Sequence, residues 1–90
     1  MTEMDKLDAA LTDMGIEHTY DHEHMGGTQI VVMKNGKYYW DAICIPASYG
    51  GADGLLEVMG KALLGNGNEV RGFLTAEDVL KMLKGGAQCT

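Results

Sequence analysis

The residues whose types and spacing could do chemistry are Trp40, Asp41, Ser48, Tyr49, Gly50, Gly51 and Arg71. Ser48-Tyr49-Gly50-Gly51-Ala52-Asp53-Gly54 reads as a glycine-rich loop from a strand into a helix, where free backbone N–H groups and the helix dipole favour an anion such as phosphate. Tyr49 and Trp40 would stack a base or a peptide side chain beside it, with positive charge from Arg71 or Lys61. The G-x-x-x-x-G-K-[ST] spacing of a P-loop is absent, and Asp53 as helix N-cap would set a carboxylate against the incoming phosphate. The competing reading is a plain glycine turn, with Tyr49 packed on the core.

Asp41 lies in an apolar run, where a buried carboxylate needs a partner; Arg71 or Lys61 would serve. His18, His22 and His24 alternate with Asp21 and Glu23, and residues two apart on a strand share a face, but the spacing is that of no structural zinc motif. Solvated side chains on a charged edge are expected there, and no metal. Cys44 would be a nucleophile only with a base beside it, and its neighbours are apolar. No nucleophile, base and orienting group can be named together, so no catalytic residue and no cofactor are expected. The enzymatic alternative would use Asp41 or a histidine as general base.

These residues are positioned by a hairpin. Asn35-Gly36 supplies the positive φ that a two-residue type I′ turn needs at both central positions. An uninterrupted ladder from that turn puts Val31, Met33, Tyr38, Trp40, Ala42 and Cys44 on one face, and Ile30, Val32, Tyr39, Asp41, Ile43 and Ile45 on the other. Neither face is polar throughout, so either helices cover both or, as so short a chain favours, the second is buried against a ligand or another subunit.

Around the hairpin, Met4, Leu7, Leu11 and Met14 recur at helical spacing behind a Thr2 cap with Asp5 three residues on, predicting a helix over 3–14. Residues 16–23 alternate as a polar edge strand. Leu55, Leu56, Val58, Met59, Ala62 and Leu63 predict a second helix ending at Gly65, and GNGNE a turn. Val70 to Phe73 reads as a short strand, and Thr75 with Asp78 opens a last helix. The expected fold is α+β, a three- to four-stranded, mostly antiparallel sheet with about three helices packed on one face. Residues 1–84 form its single domain, and residues 85–90, after Gly85-Gly86, are expected to be a flexible tail.

Seven basic against thirteen acidic residues give a formal charge of −6, which argues against a nucleic-acid partner. Apolar runs are only a few residues long, so no membrane span is expected, and MTEMDKLD lacks the regions of a signal peptide. Two cysteines, Cys44 and Cys89, make a poor disulfide framework and fit a cytoplasmic setting.

The segments WDAICIPASYGGADGLLEVMG and GFLTAEDVLKML resemble those of small uncharacterised proteins encoded by bacteriophages and prophages, over most of the chain. The resemblance implies a context, the cytoplasm of a bacterial host, and no activity. Small acidic phage proteins often bind and block a host component, including host immune machinery, and some oligomerise to sequester nucleotide signals. The expectation is therefore a non-enzymatic binding protein, a homo-oligomer, holding a host protein or a small nucleotide ligand. A structural or accessory phage protein is the alternative.

Overall fold

The structure, a computed structural model, describes residues 1–65 and 70–88. The elements run α1 (Glu3–Asp13), β1 (His18–His24), β2 (Gly27–Lys34), β3 (Lys37–Cys44), β4 (Leu56–Met59), α2 (Lys61–Leu64), β5 (Val70–Leu74) and α3 (Ala76–Gln88), with a 3₁₀ turn at Gly51–Asp53. The α+β class holds. The strands form one antiparallel sheet in the order β1-β2-β3-β4-β5, five where three or four were expected.

The fifth strand comes from the segment read as the second helix. Leu56 and Val58 are buried while Glu57 and Met59 between and beyond them are not, so the segment alternates as a strand. Gly60, at φ 136°, brings its backbone against Trp40 and ends the strand. Only the single turn α2 is left of the expected helix. Between Gly54 and Gly60 the chain is too short for a stable helix, and pairing with β3 satisfies its backbone.

Both longer helices begin with a capping box. The Asp5 N–H donates to Thr2 Oγ1 (3.0 Å) and the Thr2 N–H to Asp5 Oδ2 (3.2 Å). The same exchange joins Thr75 and Asp78, at 2.9 and 3.1 Å. Glu3 ties the two helix starts together, accepting from the Ala76 N–H at 2.8 Å. α3 runs on to Gln88 through Gly85-Gly86, where the sequence reading ended it. Residues 66–69, within the expected GNGNE turn, and the last two residues of the tail lie outside the described residues.

The β2–β3 hairpin turns at Asn35 and Gly36, φ 56° and 76°. Lys34 pairs with Lys37 and Met33 with Tyr38 as an uninterrupted ladder requires, but Val32 then pairs with Trp40. Tyr39 is the extra residue of a β-bulge, and every later side chain of β3 changes face. This corrects the expected face assignment. Trp40 and Ala42 join Ile30 and Val32 on the face covered by the helices, while Asp41 and Ile43 join Val31, Met33 and Tyr38 on the other.

The covered face is the core. Trp40, Ile30, Val32, Ala42, Leu56 and Val58 pack with Met4, Leu7 and Leu11 of α1 and Ala76 and Val79 of α3. Each of the large side chains there is at most 2 % exposed. Among the described residues no helix is long and apolar enough to cross a membrane.

Candidate functional site

The uncovered sheet face carries one buried polar cluster. Asp41, 6 % exposed, lies in the middle strand with Val31 and Met59 as its lateral neighbours. Tyr38 donates its hydroxyl to Asp41 Oδ1 at 2.5 Å, and Gln29 donates its side-chain amide to Oδ2 at 3.2 Å. The Met59 carbonyl oxygen is a second acceptor, 3.2 Å from the Tyr38 hydroxyl. These donors, and not Arg71 or Lys61, are the partners of Asp41, which corrects the expected ion pair. The Tyr38 phenol is pushed well above its ordinary range, first by desolvation of the hydroxyl end against the sheet, then by the hydrogen bond and charge of Asp41. Its ring is half exposed.

Around the cluster the face is apolar and acidic. Val31, Met33, Ile43 and Met59 surround it, and Asp21 and Glu57 extend it on β1 and β4. No paired strand position on this face, among the described residues, is Lys or Arg. Lys34 and Lys37 point to the other side at the hairpin tip, where the Lys34 ammonium sits 5.0 Å from the Tyr39 ring centroid. Arg71, opposite Val58, also falls on the helix side.

The glycine loop is ordered by its own backbone. Ser48 Oγ accepts from the Ile45 N–H (3.0 Å) and donates to the Ile45 carbonyl (2.8 Å). The N–H groups of Gly51, Asp53 and Gly54 bond to carbonyls within the loop. The Tyr49 N–H donates to Glu57 Oε1 at 2.9 Å, so a carboxylate holds the place of an anion. A strand follows the loop, so no helix dipole points into it, which corrects the role of Asp53 as a helix N-cap. Gly51 sits so close to the Ile45 carbonyl and Ser48 Oγ that no side chain fits there.

The sequence-selected residues therefore separate. Trp40 is in the core and Asp41 on the opposite face. Ser48, Gly50 and Gly51 shape the loop. Tyr49 is exposed beside β5, with Gly72 packed on its Cβ and the Phe73 N–H donating to its carbonyl at 3.0 Å. Phe73 is 60 % exposed and holds φ 59°, a left-handed conformation unusual for a bulky residue.

On the helix side, a cleft of about 330 Å³ opens between the start of α1 and the hairpins, lined by Asp5, Tyr20, His22 and Cys44 among others. Tyr20 donates to Asp5 Oδ1 at 2.8 Å and stacks on His22. Burial pushes the Cys44 thiol up, away from the reactive thiolate. His18 has both ring nitrogens at 2.7 Å from oxygens, the Ile16 carbonyl and Asp8 Oδ1, as a bridge from β1 to α1.

Tyr38 and Gln29 are the site residues that sequence reasoning missed. A Tyr three positions before an Asp in a strand signals no contact unless a bulge between them is foreseen. No protein-family model, no curated protein and no solved structure matches this chain.

Proposed function

We propose that the chain is a small non-enzymatic binding protein that docks another protein on the open face of its sheet. The observation that carries this reading is the one-sided packing: the helices bury one face, while Val31, Met33, Ile43, Met59 and the half-exposed Tyr38 stand uncovered on the other. Aromatic and methionine side chains in that setting are typical of protein interfaces. The resemblance to small phage proteins supplies the target class, a host protein that is blocked by occupancy.

A nucleotide ligand draws less support. Trp40 is in the core, and the loop N–H groups of Ser48, Tyr49, Gly51, Asp53 and Gly54 are already bonded. An enzyme draws less still, since Asp41, the general base weighed for it, already accepts from Tyr38 and Gln29, His18 has both ring nitrogens engaged, and burial raises the Cys44 thiol. A symmetric dimer through this face would set Asp41 and Glu57 against the same residues of a second copy, with no basic group at the centre among the described residues, so a different protein is the better occupant.

The test is native mass spectrometry of the tagged chain expressed in bacterial cells, with Ile43→Lys on the open face and Ala9→Lys on the exposed side of α1 as the comparison. A protein partner retained by the wild type and by Ala9→Lys, and lost by Ile43→Lys, supports the reading. A retained nucleotide, a partner kept by Ile43→Lys, or no partner at all overturns it.

A further inference from the structure

We infer that Tyr38, Gln29 and Asp41 form a receptor for a cationic side chain, Arg or Lys, presented by a basic and apolar segment of a protein partner laid on the open face. The inference deepens the docking reading above and rests on it.

A tyrosine hydroxyl has one proton, and here it goes to Asp41 Oδ1. The Gln29 amide nitrogen is turned to Asp41 Oδ2, since the flipped orientation would set its oxygen against a carboxylate. Asp41 thus takes the Tyr38 proton and one Gln29 N–H, leaving the Tyr38 oxygen lone pairs and Gln29 Oε1 as acceptors against a single remaining Gln29 N–H. A site that offers acceptors over a buried carboxylate selects donors, and charged donors most strongly. It also repels anions. The half-exposed Tyr38 ring adds a surface over which a cation can sit.

The surroundings point the same way. Asp41 is nine-tenths buried with neutral partners, so its charge is uncompensated by a cation from the described residues. Asp21 and Glu57 add charge of the same sign, and among the described residues no paired position of this face adds the opposite one. A complementary surface is therefore basic at its centre, with apolar side chains to meet Val31, Met33, Ile43 and Met59.

The probe is a synthetic peptide alternating Arg and Val, titrated into the isotope-labelled chain and followed by amide NMR, with Thr-Val and Glu-Val peptides for comparison. The expected result is saturable shifts at Gln29, Val31, Tyr38, Asp41 and Met59 for the Arg peptide, weakening with salt and absent for the Glu peptide. Asp41→Asn, which keeps the side-chain shape, should lower that affinity roughly tenfold or more. Equal binding of the Thr and Arg peptides, shifts confined to the acidic β1 edge, no binding of the Arg peptide, or a folded Asp41→Asn chain that binds like the wild type would each overturn the inference. Equal binding of the Thr and Arg peptides would do so while leaving the docking face itself intact, so failure of the two readings can be told apart. The peptide comparison needs only the wild-type chain, so the inference stays refutable if Asp41→Asn does not fold.

Discussion

Tyr38 and Asp41 are three positions apart in one strand and share a 2.5 Å hydrogen bond, although residues three apart in a regular strand project to opposite faces. The bulge at Tyr39 puts them on the same side. Tyr38→Phe leaves a buried carboxylate short of one donor, and about 1–2 kcal/mol of stability should be lost. The measurement is the urea midpoint at unchanged slope; an unshifted midpoint would mean that the bond contributes nothing net.

Tyr20 and Tyr38 both ionise above their usual range. For Tyr20, desolvation and the bond to Asp5 raise the value to about 12 from 10.0. A folded value above the unfolded one means that the stabilising contribution is complete below pH 10 and is lost as pH rises toward 12. A phenolate absorbance titration should register a step centred near 12 that Tyr20→Phe removes.

At the acid end the sign is opposite. Glu3 is held low by the Ala76 N–H and then by Lys6, Asp5 by Tyr20 and then by Thr2, and Asp78 by Thr75. Depressed carboxylates stabilise the fold above their unfolded values, 4.5 for Glu3 and 3.8 for the aspartates, and that contribution is lost as pH falls below them. Thermal melts should therefore show the melting temperature dropping below about pH 4, with a smaller drop in Glu3→Gln.

Trp40 and Tyr49, paired in the sequence reading as stacking groups, should behave oppositely. Trp40→Ala empties a core site that is 1 % exposed and should cost about 3–5 kcal/mol. Tyr49→Ala keeps the Cβ that packs on Gly72 and removes an exposed ring, so its effect should stay within about 0.5 kcal/mol. Chemical denaturation of the two variants checks both.

Phe73 combines exposure with a left-handed backbone. Asn tolerates that conformation better, so Phe73→Asn should be neutral or should raise stability by up to about 1 kcal/mol. Destabilisation on denaturation would show that the ring packs in solution.

Local signals carried much of the fold. Thr2 with Asp5 and Thr75 with Asp78 mark the helix starts, Asn35-Gly36 marks the hairpin, and the polar alternation of residues 16–23 marks the edge strand. Leu55 to Leu63 fits helical spacing, while β4 depends on pairing with β3, a contact between distant parts of the chain that local spacing does not carry. The cluster was half legible. Asp41 drew notice as a carboxylate among apolar residues, but its partners depend on a bulge that no residue type announces.

A strand with one extra residue counts its faces differently on either side of it. Were Tyr39 drawn into the ladder opposite Val32, Trp40 would pair with Val31 and Asp41 with Ile30, sending Asp41 into the core and Trp40 to the surface and inverting everything β3 presents as far as Cys44. Added residues at the Asn35-Gly36 tip would lengthen a loop and leave both faces as they are. The hairpin can thus absorb changes of length at its tip, whereas a few ångströms further in a single residue looped out of the ladder separates a binding face from its reverse.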